Sequence, residues 1–393
     1  MTLYDRRSFL LTSGLLASAA TVLPSCARQA IQQVPRPVGT RWAASPAIGL
    51  DACFAIIIAA APDTVLQVRH NLDRRDTLRT LMGAKALRSA ETLIRALADT
   101  GRVNTPGASL ALIASPAPLT DIVQTAGFFN DPAKVLAAFE ETDFFTSDES
   151  KAELRQLVGP CAEALHDIAE SDFVDWWHNT YKLTLDQSVQ EIGLQLEPID
   201  VVREIDRYTT KTLDPNISVF VSELTRPHGI KIVGQRFITS PTWDIMIVRR
   251  NSVHEMLHIL LPPSRPEVQT ITDRLSADSG LQSVIEKSNS TFGYSSIRSL
   301  VEEGAVQALE AVINVRLDQA RDVTAYWRKQ DGGMHIFAAA MYNAMNRTGF
   351  AQRGGDVVKW LDEHTSSGGL QRQSLAKDAA AVVGEAHVKT WLA

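Results

Sequence analysis

Cysteine is scarce in this chain: Cys26, Cys53 and Cys161 are all it has in 393 residues. None of them lies at metal-ligand spacing from another, so a cysteine-built metal module is excluded. Cys53 and Cys161 sit in apolar stretches (Ala52-Cys53-Phe54 and Pro160-Cys161-Ala162) and allow either one bridge or two buried free thiols. Basic runs are missing too. With a formal net charge of -6 and no interleaving of cations with aromatics, the chain lacks the footprint of a nucleic-acid binder. Past the chain start no apolar run reaches membrane-spanning length; Phe54 to Pro62 is apolar but too short. No repeat at a solenoid period is present. What remains is 45% hydrophobic residues, ample for a sizeable core, in a length that permits two domains.

The chain start sets an expected compartment. Arg6-Arg7 followed by Ser8-Phe9-Leu10 matches a twin-arginine export signal, and the apolar stretch from Phe9 to Leu23 is short for a membrane span. Leu23-Pro24-Ser25-Cys26 resembles a lipobox, with Pro24 an unusual occupant. Lipidation at Cys26 would anchor the protein to the membrane; the alternative is an ordinary cleaved signal peptide. Both readings place the body outside the cytoplasm, in the periplasm. Residues 1–26 are therefore read as signal, and 27–47, rich in Gln, Pro and Arg and without periodicity, as a tether.

The chemistry is expected at His254-Glu255-Met256-Leu257-His258. On a helix, residues four apart share a face, so His254 and His258 can present two imidazoles to one metal ion, with Glu255 beside them as general base. Val253, Met256, Leu257 and Leu260 follow a core-facing spacing that leaves both histidines off the buried stripe. Pro262-Pro263 ends the helix. Catalytic zinc wants a third protein ligand and one position for water. Downstream, Ile297 to Val312 reads as an amphipathic helix with Glu303, Gln307 and Glu310 on one polar face. Gly304 lowers its helix propensity, and close approach of a second helix is a reason for it.

HExxH followed by a helix bearing Glu303-Gly304 resembles the gluzincin metallopeptidases over residues 216 to 315. The resemblance implies Glu303 as third ligand, with Glu302 one helical step away as the alternative. It implies Zn2+ as cofactor, a peptide or protein as substrate, and a small sheet above the active-site helix whose edge strand pairs with extended peptide. It further implies a tyrosine or histidine from a later helix that stabilises the oxyanion; Tyr342 is assigned, with His335 and Tyr294 behind it. Two departures stand out. Residues 264 to 295 form an insertion, and Gln307 replaces the aspartate that thermolysin-like members carry four residues after the ligand glutamate. Gln307 is expected to reach a ligand histidine through its amide oxygen.

The expected fold is α+β and predominantly helical, with a zincin-like small sheet on the HExxH helix. A mainly helical region spans 48–215 and the metallopeptidase-like region 216–393. Helices are read at Thr77 to Asp99, from Pro132, at Lys151 to Ile168, at Phe173 to Leu196, at Met334 to Met345 and from Leu375 onward. Strands are read at Ser109 to Ala114, Ile217 to Leu224, Gly229 to Ile238 and Trp243 to Val248. His228 and the remaining histidines are read as surface residues, and Trp176-Trp177 as core. Two rival classes remain: a non-catalytic zincin-fold interaction or assembly protein of the envelope, and a structural zinc site, which needs four closed ligands.

Overall fold

Four short strands give the helices a surface to pack on. The structure, a computed structural model, describes residues 39–62, 72–102, 106–140, 142, 144–225, 230–262, 265–288 and 296–392. Residues 1–26 with Cys26, most of the tether, His228 and Tyr294 lie outside them. In chain order the elements are β1 (Arg41–Pro46), α1 (Ile48–Ala60), α2 (Arg75–Asp99), α3 (Pro106–Ala114), α4 (Ile122–Phe128), α5 (Pro132–Glu140), α6 (Asp148–Ala169), α7 (Phe173–Leu196) and α8 (Val201–Asp206). Then come β2 (Asn216–Val221), β3 (Ile230–Ile232), β4 (Arg236–Thr239), α9 (Ile245–Leu257), α10 (Pro266–Ser276), α11 (Ser279–Lys287) and α12 (Ile297–Arg316). The chain closes with α13 (Val323–Trp327), α14 (Ile336–Arg347), α15 (Phe350–Arg353), α16 (Val357–Ser366), α17 (Arg372–Val383) and α18 (Glu385–Leu392). The protein is predominantly helical α+β. Among the described residues no helix is long and apolar enough to cross a membrane.

The sheet runs β1-β2-β4-β3, with β1, β2 and β4 parallel and β3 antiparallel at the edge. Residues 41–46, expected in the tether, are thus a strand, paired in register with 216–221. That pairing crosses the boundary expected at 215, and residues 38–393 form one compact unit. Its partner stands some 175 positions along the chain, which is why local pattern does not show the strand. Two strand expectations also fail. Ser109 to Ala114 lies in α3, since a short, fully buried apolar run reads equally as helix or strand. Trp243 to Val248 contains the start of α9, where Asp244 caps the helix by accepting from the Met246 N–H at 2.8 Å. The inserted segment 264 to 295 is helical over α10 and α11, which pack on α16 and α18.

Helix α1 is buried on nearly every side, which explains its unbroken apolar sequence. Its one charged residue, Asp51, is fully buried and ties three parts of the chain together. Its carboxylate accepts from Trp177 Nε1 on α7 (2.7 Å), Ser222 Oγ (2.6 Å) and the Leu224 N–H (2.8 Å). Burial outweighs these bonds and raises its pKa to about 6. Cys53 and Cys161 are both buried and unbridged, and burial pushes the Cys53 thiol up to about 12.

Candidate metal centre

Helix α9 packs between β4 and α12. Its last turn tightens into a 3₁₀ turn, His258–Leu260, before the chain reaches Pro262. The His254 and His258 rings remain on one face, their centroids 5.2 Å apart. Facing them is α12, started by a reciprocal Ser296–Ser299 capping box. Gly304 lets the helices close in. A Cβ there would lie 2.5 Å from Phe337 Cδ1 and 3.3 Å from the Ala338 nitrogen, so the glycine is required by the approach of α14.

Glu303 meets both histidines. Its Oε1 lies 3.5 Å from His254 Nε2 and its Oε2 lies 3.9 Å from His258 Nε2. The donor atoms of His254, His258 and Glu303 all fall within 4.8 Å of one another. Tetrahedral zinc with bonds near 2.1 Å spaces its ligands roughly 3.4 Å apart, so the His254–Glu303 pair already stands at that spacing and the remaining donors would draw in around an ion.

The opposite ring nitrogens have their own carboxylates. His254 Nδ1 lies 3.2 Å from Glu310 Oε2, and His258 Nδ1 lies 3.0 Å from Glu302 Oε1. A carboxylate oxygen accepts from each Nδ1, which leaves each Nε2 as the nitrogen turned toward Glu303 and able to face a metal once it carries no proton. Glu302, the alternative third ligand, therefore orients His258. Glu310, expected only as part of the polar face, orients His254. Gln307 takes a different part from the expected one: its Nε2 donates to Glu303 Oε1 (2.9 Å), while its Oε1 accepts from the buried Trp327 Nε1 (2.9 Å). It positions Glu303 rather than a histidine.

Electrostatics favour a cation here. Burial works against an imidazolium at His254, yet Glu303, Glu310 and Glu255 raise its pKa to about 10. Burial also opposes ionisation of Glu303, but His254 and His258, then the Gln307 amide, hold it below the usual carboxylate range. Glu255 is buried beside this group, next in sequence to His254.

His335 is not on the α14 face with Tyr342; it is the residue just before that helix. It is buried, with Nε2 2.9 Å from Asp331 Oδ2 and 3.3 Å from Gln307 Nε2. Since only the carboxylate can accept, the proton points to Asp331, and the amide approach is a contact rather than a hydrogen bond. Asp331 adopts a left-handed conformation (φ 48), and Gly332 and Gly333 continue the turn. His387 Nε2 lies 2.7 Å from the Gly333 carbonyl oxygen, where a side chain on Gly333 would strike His387 Cε1 at 2.6 Å. Tyr342 packs edge-on against Trp327, centroids 5.6 Å apart, one side chain removed from Gln307. A second acidic cluster, His166, Asp167 and Glu170, is already occupied by Lys85, whose Nζ lies 2.9 Å from Asp167 and 3.0 Å from Glu170.

Comparison of the chain with protein-family models, with curated proteins and with solved structures finds no match.

Proposed function

We propose that this protein is a zinc-dependent peptidase of the gluzincin type, with a zincin-like sheet and active-site helix. The convergence of His254, His258 and Glu303 carries the reading, because three donors of these types at this spacing suit catalytic zinc. A structural site wants four donors, whereas among the described residues only His254, His258 and Glu303 group together here, and Glu302 and Glu310 are turned to the Nδ1 atoms. Zinc held there would polarise a peptide carbonyl and lower the pKa of a bound water. Glu255 takes the proton from the attacking water and delivers it to the leaving nitrogen. Tyr342, anchored on Trp327, donates to the oxyanion that forms on the substrate carbonyl. Strand β3, at the sheet edge and in contact with α9, offers main-chain groups to an extended substrate. The twin-arginine sequence before Cys26 supports export to the periplasm, with a lipid anchor at that cysteine.

The test pairs metal analysis with Glu255→Gln. The variant should bind about one zinc per chain and lose at least 10²-fold in peptide turnover. Equal turnover in both proteins refutes the mechanism, and a wild type that holds zinc yet cleaves no peptide points to the interaction-protein alternative.

A further inference from the structure

The two carboxylates behind the histidines differ. Glu302 has 27% of its side chain exposed and no ion pair with Lys or Arg among the described residues. Glu310 is 3% exposed, and its Oε1 accepts from both Arg321 Nη2 (2.9 Å) and Asn314 Nδ2 (3.0 Å), leaving Oε2 for His254. Arg321 is itself fixed. Its guanidinium lies on the face of Tyr326, 3.4 Å from the ring centroid. The turn before it is stapled to α9, because Arg250 donates to the carbonyls of Gln319 (3.0 Å) and Ala320 (3.1 Å). A closed circuit results, from Arg250 through this turn, Arg321 and Glu310 back to His254, one helical turn away on α9.

We propose that Arg321, paired with Glu310 behind His254, sets how tightly the His254–His258–Glu303 site holds a divalent cation. The inference rests on the metal-site reading above. It has two parts. Arg321 fixes which oxygen of Glu310 faces His254, and its charge offsets that of a carboxylate which otherwise acts wholly on the metal-binding imidazole. Asn314 also holds Oε1, so the orientation of Glu310 survives loss of the guanidinium and the change of charge dominates. Removing one positive charge about 10 Å behind the ion strengthens the hold by about tenfold for each unit of net charge the site takes up, at an effective dielectric near 20. Arg321 thus keeps the cation less tightly held than the carboxylate shell alone would hold it.

The experiment measures zinc affinity of the full chain by competition with a chromophoric chelator, in wild type, Arg321→Met, Arg321→Gln, Arg321→Lys and Glu310→Gln, and in the Arg321→Gln/Glu310→Gln pair. Arg321→Met and Arg321→Gln should both bind zinc about tenfold tighter. Arg321→Lys should stay near wild type. In the Glu310→Gln background, Arg321→Gln should still tighten zinc binding by a comparable factor, because the guanidinium charge acts on the cation through space. Arg321→Gln keeps a donor for Oε1, so it reads the charge even if Arg321→Met does not fold. Weaker or unchanged binding in Arg321→Gln overturns the inference. A wild type that takes up no zinc overturns the metal reading and this inference with it; zinc binding that ignores Arg321 overturns the inference alone.

Discussion

Zinc uptake by the metal-free protein at pH 8 should expel close to one proton from His254. The carboxylates of Glu303, Glu310 and Glu255 raise that imidazole to about 10 against the cost of its burial. Two pH units below this value it is roughly 99% protonated, and a histidine must be neutral to bind a metal. Glu303 is held below the ordinary carboxylate range, so it is already ionised and releases nothing. The rise from 6.5 to about 10 corresponds to on the order of 5 kcal/mol of folded-state preference for the imidazolium. The folded pKa lies above the unfolded one, so this stability is complete below pH 6.5 and is lost as pH climbs through about 10. The metal-free protein should therefore melt at falling temperatures from neutral pH to pH 10, while the zinc-loaded protein, whose His254 has no such proton, should not. Calorimetric titration of zinc in buffers of different ionisation enthalpy counts the protons, and imidazole nitrogen shifts of the metal-free protein give the midpoint. Release of less than half a proton at pH 8, or a His254 midpoint near 6.5, refutes the electrostatic reading.

Gly304→Ala should lower stability by about 1–3 kcal/mol in thermal melts and weaken zinc binding, since its methyl group meets Phe337 at 2.5 Å and displaces the helix turn that carries Glu303. Wild-type zinc affinity in that variant counts against close helix approach as the reason for the glycine. Asp51→Ala should cost about 3–5 kcal/mol in urea unfolding, because three buried donors, Trp177 Nε1, Ser222 Oγ and the Leu224 N–H, lose their acceptor together. A loss below 1 kcal/mol means that water replaces the carboxylate.

Legibility from sequence followed the range of the interaction. The His254/His258 pair is a local fact of helix geometry and reads directly from spacing, whereas Glu303 is singled out by the resemblance to the gluzincins, and the neighbour that requires Gly304, Phe337 on α14, lies 33 positions away. Glu310 was within reach: it shares a face with Glu303 seven residues on, and a carboxylate on that face is available to a ligand histidine. The sequence reading gave that place to Gln307 because it followed the thermolysin-like spacing. Arg321, Trp327 and Asp331 lie in or near short turns after α12, where neither period nor propensity says which side chain points inward. Strand β1 and the Asp51 network depend on pairings more than 120 positions apart, and no window along the chain contains both partners. The two misplaced strands failed for a different reason: short apolar runs at Ser109 to Ala114 and Trp243 to Val248 carry no period that separates strand from helix.

The charge balance around the two imidazoles gives the arrangement its direction. Glu302, Glu303 and Glu310 each touch a histidine, and Glu255 acts on His254 through space. These four carboxylates outnumber the cationic partners set against them, the Arg321 guanidinium beside Glu310 and, in the metal-free protein, the His254 imidazolium. Water stabilises such an excess only at the exposed rim, and Glu310 and Glu255 are buried. Exchange of the His254 proton for a divalent cation adds one positive charge where the Nε2 atoms and the Glu303 oxygens already point. Gly304 seats α12 against α14, so the helix that carries Glu302, Glu303 and Glu310 presents them from a fixed backing, an arrangement that favours a cation between it and the two histidines.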